Sequence, residues 1–254
     1  MGTRIAVGGK GGVGKTTLAA LIVRELLHSG KGPVLAVDAD PNTNLPEALG
    51  LAAEQTVGSI LAHFIDEKIE IPSGMTKESF LQVKMHSAVA ESRGLDLVAM
   101  GRGEGPGCYC YPNLILRGFV EDLSGNYPYV VIDNEAGMEH LSRRTSERID
   151  HMILVSDPAI RGLRSVRRIH DLIRELKLDV GRISLVVMRV PDGLPPELDK
   201  ELAGLGIALA GCVPTDRDIV AYDLEQKPVT GLPDTSPAVK AVKEILQSLE
   251  ICFP

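Results

Sequence analysis

The residues from Gly9 to Thr16 read GKGGVGKT, a composition suited to holding phosphate groups. Gly9, Gly14, Lys15 and Thr16 satisfy the spacing G-x-x-x-x-G-K-[ST], in which glycines let backbone N–H groups curl around an anion. An amphipathic helix follows, and its N-terminus adds a favourable dipole. Lys15 is predicted to reach the β- and γ-phosphates, and Thr16 to bind Mg²⁺ through its hydroxyl group. The loop residues predicted to contact the nucleotide are Gly9, Gly11, Gly12, Val13, Gly14, Lys15, Thr16 and Thr17.

Cys108 and Cys110 form a second pattern of residues that could carry chemistry. In an extended segment, residues i and i+2 face the same side, so both sulfur atoms could point at one metal ion. Two thiolates fill half of a tetrahedral site, and a symmetric dimer would supply the other half. Four thiolates suit Zn²⁺, or Ni²⁺ in a square-planar arrangement. The alternative is a pair of free thiols in a loop; Cys212, inside an apolar strand, is predicted to be a core residue.

Short apolar runs that alternate with helical stretches must position these residues. The predicted strands are Ile5–Gly8, Val34–Asp38, Leu95–Met100, Tyr129–Asp133, Met152–Ser156, Ile183–Val187 and Leu209–Val213. Apolar residues recur at helical spacing in Thr17–His28, Ser165–Leu176 and Pro237–Leu249. This alternation predicts an α/β fold, a doubly wound and mostly parallel seven-stranded sheet with helices on both faces. We expect one domain over residues 1–254, with an insertion of helices and loops at Glu67–Arg93.

Composition restricts the classes of partner. The 254 residues carry a formal net charge of −7, and no arginine-rich strip offers the basic footprint that nucleic acid requires. No apolar run approaches the roughly 18 residues of a membrane span. With no export signal recognised, the four cysteines are expected to be reduced thiols. The sequence predicts a cytoplasmic protein that binds neither nucleic acid nor membrane.

The loop sequence KGGVGKT, with a second lysine at Lys10, resembles the deviant Walker A motif of the MinD/ParA/nitrogenase-iron-protein class of P-loop ATPases. The resemblance implies that Lys10 reaches across a dimer interface to the partner's nucleotide. A cation delivered only on dimerisation would stabilise charge on the transferring phosphoryl group, as an arginine finger does. It therefore implies a homodimer that forms on ATP binding; a solvated loop cation is the alternative for Lys10.

Two acidic segments resemble the switch regions of the same class. DADPNTNL, which follows Val37, is similar to switch I and implies that Asp38 acts near Mg²⁺ or its waters. Asp40 is the better candidate for positioning the attacking water. VVIDNEAG resembles switch II, with Asp133 as an outer-sphere Mg²⁺ ligand and Gly137 sensing the γ-phosphate. The alternative for these aspartates is that they cap the turns that follow.

The base-binding pattern of the class is only half present. An Asn-Lys/Arg pair is expected at a strand end, where this chain has Met188 and Arg189. The subsequent Pro-x-Asp motif is matched by Pro214 and Asp216, which are therefore predicted to contact the nucleotide. Without the Asn, adenine selectivity would rest on the fold and on main-chain contacts. ATP or ADP is still the expected nucleotide, because the class uses it.

The segments GCYC and DNEAGMEHLSRR, together with KGGVGKTT and DADPN, resemble the CooC type of nickel-insertion accessory ATPase. This resemblance makes Cys108 and Cys110 ligands of Ni²⁺ or Zn²⁺ in the dimer. It implies a metallochaperone that hydrolyses ATP, with Lys10, Lys15 and Asp40 as catalytic residues. Carbon monoxide dehydrogenase or acetyl-CoA synthase would be the acceptor. The alternatives are a MinD/ParA-like positioning ATPase and an electron-transfer ATPase with a bridging Fe–S cluster.

Overall fold

The computed structural model describes residues 2–66, 71–101, 118–135 and 148–251. In these ranges the strands are β1 (Thr3–Gly9), β2 (Val34–Ala39), β3 (Val89–Ser92), β4 (Leu95–Ala99), β5 (Tyr129–Asn134), β6 (Ile149–Ser156), β7 (Val180–Val190) and β8 (Ala208–Pro214). The helices are α1 (Lys15–His28), α2 (Leu45–Leu49), α3 (Val57–Asp66), α4 (Lys77–His86), α5 (118–124), α6 (Ile160–Glu175), α7 (Asp199–Leu205), α8 (Arg217–Leu224) and α9 (Pro237–Ser248).

The strands form one eight-stranded sheet in the order β3-β4-β2-β5-β1-β6-β7-β8. Every neighbouring pair is parallel except β3 and β4. β1 lies in the middle and is buried along almost its whole length, as its continuous apolar sequence requires. The predicted α/β fold with a doubly wound, mostly parallel sheet is confirmed, and each of the predicted strands is present.

The predicted count of seven strands is one fewer than the eight in the described ranges, because β3 lies inside Glu67–Arg93, where the sequence predicts an insertion of helices and loops. β3 has only 4 residues, Val89 to Ser92, and its second half is exposed. A strand this short at a sheet edge carries too little apolar periodicity to be recognised. It forms because Leu95–Ala99 offers a free edge onto which the chain folds back.

Both faces of the sheet are covered by helices. One apolar cluster joins β1 and β2 to α1 and α9, through residues such as Leu18, Leu21 and Val242. A second cluster lies on the opposite face, where α6 packs Leu163 and Val166 against β6 and β7. The sheet is therefore enclosed, and its carboxyl edge is where chemically active side chains can emerge. Among the helices of the described ranges, none is both long and apolar enough to cross a membrane.

Buried Arg24 anchors α1, the helix that follows the phosphate-binding loop. Its guanidinium donates to the carbonyl oxygen of Leu232 at 2.7 Å (Nη2) and 3.1 Å (Nε). Nη2 also donates to Asp234 at 2.7 Å, and Nη1 contacts the buried carboxylate of Glu25. These bonds tie the C-terminal part of the chain to α1 and hold the helix against the sheet.

We expect Arg24→Ala to lower the free energy of unfolding by about 3 kcal/mol, because it leaves the Glu25 carboxylate buried without its cation. Chemical denaturation would measure the change. The double variant Arg24→Met with Glu25→Gln should lose less than Arg24→Ala, since no charge is then stranded. A loss below about 1 kcal/mol in Arg24→Ala would contradict this role for the guanidinium.

Candidate nucleotide-binding site

The loop GKGGVGKT connects β1 directly to α1 at the carboxyl edge of the sheet. Gly12 and Gly14 have φ angles of 77° and 98°, in the left-handed region that favours glycine. Gly14 is the N-cap of α1 and has no side chain with which to occupy the first N–H groups of the helix. Those N–H groups therefore remain available to an anion, as a phosphate site requires.

The two lysines of the loop lie in different environments. Lys15 is buried, and its ammonium group donates to the carbonyl oxygen of Lys10 at 3.4 Å, so it faces back across the loop. The side chain of Lys10 is exposed. One cation is thus held inside the loop, and the other is displayed to solvent.

Asp38 and Asp133 lie opposite each other on β2 and β5, at the edge where the loop sits. Their exposed fractions are 0% and 1%. Asp38 accepts backbone hydrogen bonds from Asp40 at 3.0 Å and from Leu45 at 2.9 Å. Asp133 accepts a hydrogen bond from the Thr16 hydroxyl at 2.6 Å. The sheet register thus brings together three residues that the sequence predicted to act at Mg²⁺.

Burial raises the pKa of both carboxyl groups. Desolvation raises the pKa of Asp133 to about 7; the Thr16 hydrogen bond opposes the shift, and the negative charge of Asp38 adds to it. Desolvation also raises the pKa of Asp38 to about 6, against the backbone bonds from Leu45 and Asp40. Neither carboxylate therefore has enough positive charge nearby to offset its burial.

The donor set fits Mg²⁺, a hard cation that takes carboxylate and hydroxyl oxygens together with waters and phosphates. Within the described ranges, Oδ1 of Asp133 is buried and has no hydrogen-bond partner. The residues that could hold the ion are Thr16, Asp38 and Asp133. Asp40 lies nearer the surface, where its carboxylate accepts hydrogen bonds from the backbone and side-chain nitrogens of Asn42, both at 2.9 Å.

Arg189 contacts the loop in a way that sequence reasoning missed. Its guanidinium donates to the carbonyl oxygen of Gly12, although the residues are 177 positions apart. Arg189 has a φ angle of 58°, beside a register irregularity between Met188 and Val190. The preceding Met188 is buried, and a Cβ atom added at Gly14 would contact its side chain. The end of β7 therefore braces the loop at two points.

Pro214 is the last residue of β8 and Asp216 lies two residues beyond it, close to the contact between β7 and the loop, since Pro214 pairs with Val190. The carboxylate of Asp216 is engaged: Oδ2 accepts from the Ser236 hydroxyl at 2.6 Å and from Ala238 N at 3.1 Å. Oδ1 accepts from Asp218 N at 2.8 Å, so Asp216 caps α8 and holds the start of α9. A contact between these residues and the base stays a prediction.

Several predicted residues lie outside the described ranges, namely Cys108, Cys110 and Gly137. Cys212 is a half-buried thiol on β8, packed at the edge of an apolar cluster, and burial raises its pKa. Among the residues that the structure describes, no group of three or more His, Cys, Asp and Glu side chains is placed to hold a metal ion. The predicted Ni²⁺ or Zn²⁺ site therefore stays a prediction.

The relatives of the chain identify its family. Residues 3–184 match the AAA domain family AAA_31, which amounts to more than half of the chain. The chain belongs to this family, the P-loop ATPases of MinD/ParA type. It is also 42% identical to an uncharacterized ATP-binding protein of Methanocaldococcus jannaschii, over 96% of this chain and 97% of the relative.

Two further similarities bear on this ATPase. It is 32% identical to the carbon monoxide dehydrogenase accessory protein CooC of Rhodospirillum rubrum, over 68% of this chain and 70% of CooC. The septum site-determining protein MinD of Pyrococcus horikoshii, solved with Mg-ADP, superposes with a TM-score of 0.73. That match has 22% identity and covers 98% of this chain and 96% of MinD, so it supports the fold alone.

The raised pKa of Asp133 makes the stability of the nucleotide-free ATPase depend on pH. In the folded protein Asp133 keeps its proton up to about pH 7, whereas in the unfolded chain it loses that proton near pH 4. Protonation of Asp133 therefore stabilises the fold fully below pH 4, and this stabilisation is lost as the pH rises through about 7. At pH 8 without Mg²⁺, Asp133→Asn should therefore raise the melting temperature by several degrees, since about 2 kcal/mol of desolvation cost disappears.

Thermal melts at pH 5 and pH 8 would measure this effect, with Asp192→Asn, an exposed loop substitution, as the control. The same Asp133→Asn variant should lose the extra stability that Mg-ATP confers on the wild type. A lower melting temperature for Asp133→Asn at pH 8 would contradict the buried-charge interpretation.

Arg189→Ala should weaken ADP binding about fivefold, because the charged hydrogen bond that holds the Gly12 carbonyl is lost. Isothermal titration calorimetry with Mg-ADP would measure the affinity. Arg182→Ala is the matched control, since Arg182 is an exposed arginine on the same strand, towards its other end. Equal affinity in Arg189→Ala and the wild type would show that the brace does not affect binding.

Proposed function

We propose that this ATPase is a nucleotide-driven metallochaperone. Mg-ATP binding at Gly9–Thr16 joins two copies, and the dimer holds one Ni²⁺ or Zn²⁺ ion between the Cys108 and Cys110 pairs of both. Hydrolysis reopens the dimer and passes the metal to carbon monoxide dehydrogenase or acetyl-CoA synthase. The observation that carries the proposal is the 32% identity with the accessory protein CooC of Rhodospirillum rubrum.

The nucleotide half of the proposal rests on the loop and its buried acids. The N–H groups at the start of α1, together with buried Lys15, receive the phosphates. Thr16, Asp38 and Asp133 would hold Mg²⁺ directly or through water, and the ion would supply the positive charge that these carboxylates lack. Asp40, near the surface beside the loop, orients the attacking water.

The dimer half of the proposal rests on Lys10. Its side chain is exposed, whereas Lys15 is turned inward, so Lys10 is free to serve a nucleotide in another copy. A cation that reaches the γ-phosphate only when two copies meet makes hydrolysis depend on dimerisation. Lys10, Lys15 and Asp40 are then the residues that act on the transferring phosphoryl group.

A packed path leads from the strands of the nucleotide site to the helix that follows the cysteine segment in the sequence. Helix α5 (118–124) follows that segment, and its Phe119 and Leu123 pack in one cluster with Val37 and Val130. Val37 lies on β2 beside Asp38, and Val130 lies on β5, which ends near Asp133. A shift of the two aspartates on metal and nucleotide binding would therefore press on α5. Coupling of this kind needs different metal affinities in the open and closed states.

A positioning ATPase is the second candidate, because 97% of this chain aligns with 88% of MinD of Synechocystis at 27% identity. Membrane positioning needs an amphipathic helix with a free apolar face. The apolar face of α9, which includes Val242, Ile245 and Leu246, is buried against the sheet and α1. Within the described part of the C-terminal region, this burial favours a structural role for α9 over a role as a membrane anchor.

The metal content of the dimer tests the proposal. Wild-type protein with Mg²⁺ and a non-hydrolysable ATP analogue should bind one Ni²⁺ or Zn²⁺ per dimer, measured by mass spectrometry of metals after gel filtration. Cys108→Ala should lose the ion, whereas Cys212→Ala, the control thiol, should keep it. Lys10→Ala should lose both the dimer and the ion.

Two results would reject the metallochaperone proposal. Unchanged metal binding in Cys108→Ala would remove the proposed ligands. A brown chromophore in protein purified without oxygen would instead favour a bridging Fe–S cluster and electron transfer.

A further inference from the structure

A cavity of about 420 Å³ opens between α3 and α4, on the face of the sheet opposite α1. Small-molecule sites in proteins commonly have volumes from roughly 300 to 1,000 Å³. The lining comes from the two helices and from Gln55, which precedes α3. It includes no residue of the phosphate loop and none of the three residues that could hold Mg²⁺. The cavity is therefore separate from the nucleotide site.

The apolar part of the lining consists of Ile60, Phe64 and Phe80. Ile60 is buried in the apolar cluster over β2 and β4, and Phe64 packs against the same cluster, so the core holds both side chains in place. Phe80 is half-buried, and the ammonium group of Lys84 lies 5.6 Å from the centre of its ring. Aromatic side chains take up a flat apolar ring by offset stacking or by edge contact. The lining therefore suits a ligand with an aromatic body.

The unpaired polar groups of the lining are hydrogen-bond donors. The ammonium group of Lys84 has no ion-pair partner in the described part of the chain. Gln55 accepts a hydrogen bond from Ser87 through Oε1 at 3.2 Å, and its Nε2 group has no partner among the described residues. The hydroxyl of Ser59 is already satisfied, since it donates to the carbonyl oxygen of Thr56 at 2.8 Å and accepts from the Thr56 N–H group at 3.1 Å.

The charge of the lining favours an anion. Lys84 contributes a positive charge, and His63 also lines the cavity. Among the described residues of the lining none is acidic, and Glu54, the neighbour of Gln55 in the chain, is not part of it. A carboxylate only accepts hydrogen bonds, and it can take one on each oxygen. Two free donors, one of them charged, therefore match a carboxylate better than a neutral group.

We propose that this cavity binds a small aromatic carboxylate. The ring of the ligand contacts Phe64, Phe80 and Ile60. Its carboxylate accepts hydrogen bonds from Nζ of Lys84 and Nε2 of Gln55. Because a hydrogen bond between charged groups is roughly twice as strong as a neutral one, removing the charge from either partner should weaken binding.

Two backbone hydrogen bonds link α3 to the nucleotide site. Gly58 N donates to the carbonyl oxygen of Met100 at 2.8 Å, and Met100 N donates to the carbonyl oxygen of Asp38 at 2.9 Å. Ile60 of the lining also shares an apolar cluster with Val37, the neighbour of Asp38. The cavity is thus an effector site: the carboxylate and Mg-ADP change each other's affinity by the same factor.

Two probes of the same shape test the site. 2-Naphthoate has an aromatic body and a carboxylate, whereas 2-naphthamide has a neutral amide in place of the carboxylate. Isothermal titration calorimetry on the full chain without nucleotide should give a dissociation constant about tenfold lower for 2-naphthoate than for 2-naphthamide. The dissociation constant of 2-naphthoate should then shift about threefold when Mg-ADP is present at saturation.

Three variants locate the binding. Lys84→Gln should weaken 2-naphthoate about tenfold and leave 2-naphthamide unchanged, because it removes only the charged partner. Lys240→Gln removes an exposed lysine on α9 and is the matched control, which should bind both probes like the wild type. Phe80→Ala should weaken both probes about fivefold, because it removes a ring that both contact. Lys84 and Lys240 are exposed, so their variants should keep the melting temperature of the wild type.

The outcomes separate the site from its effector role. A wild type that binds neither probe at millimolar concentration would overturn the site, and so would equal binding of 2-naphthoate to Lys84→Gln and the wild type. Binding that depends on Lys84 but is the same with and without Mg-ADP would overturn the effector role alone. None of these measurements uses Ni²⁺ or Zn²⁺, so their results do not depend on the metallochaperone proposal.

Discussion

Asp38 and Asp133 lie opposite each other on neighbouring strands with almost no exposure to solvent, and their negative charge is the constraint around which the site is arranged. An isolated buried carboxylate is costly, so each must be protonated or meet positive charge. The phosphate loop above them would bring still more negative charge with a nucleotide. A divalent cation is the simplest group that satisfies both acids and the phosphates, and the hydroxyl of Thr16 already bonds to Asp133.

Two arginines hold the elements around these carboxylates in place. Arg24 ties α1 to the segment around Leu232 and Asp234, and the end of β7 contacts Gly12 through Arg189. Because these contacts hold α1 and the loop, we expect nucleotide binding to act through the two aspartates and through α5, the helix packed against their strands.

The fold does not decide between the candidate functions. The sheet order and the loop are common to ATPases of MinD/ParA type, and the similarity to MinD and to CooC extends over much of the same chain. Function on a shared fold depends on the site grafted onto it. The cysteine pair distinguishes the proposed metallochaperone from a positioning ATPase, and α5, which follows the cysteine segment in the sequence, packs through Phe119 and Leu123 in one cluster with Val37 and Val130.

The sequence by itself determined the class of this protein. The loop spacing predicted a phosphate site between a strand and a helix, and continuous apolar runs predicted a parallel sheet buried on both faces. These features could be read because they depend on neighbours in the chain: glycines before a helix, and apolar residues in succession. β3 escaped because four residues at an exposed edge carry little pattern of their own.

Only the tertiary structure decided how distant residues share one site. The register of β2 against β5 places Asp38 beside Asp133, and burial of that pair is what raises the pKa of both acids. The contact of Arg189 with Gly12 and the bonding of Asp216 to Ser236 likewise join residues far apart in the chain. Such contacts follow from the packing of the whole sheet, and no local spacing of residue types records them.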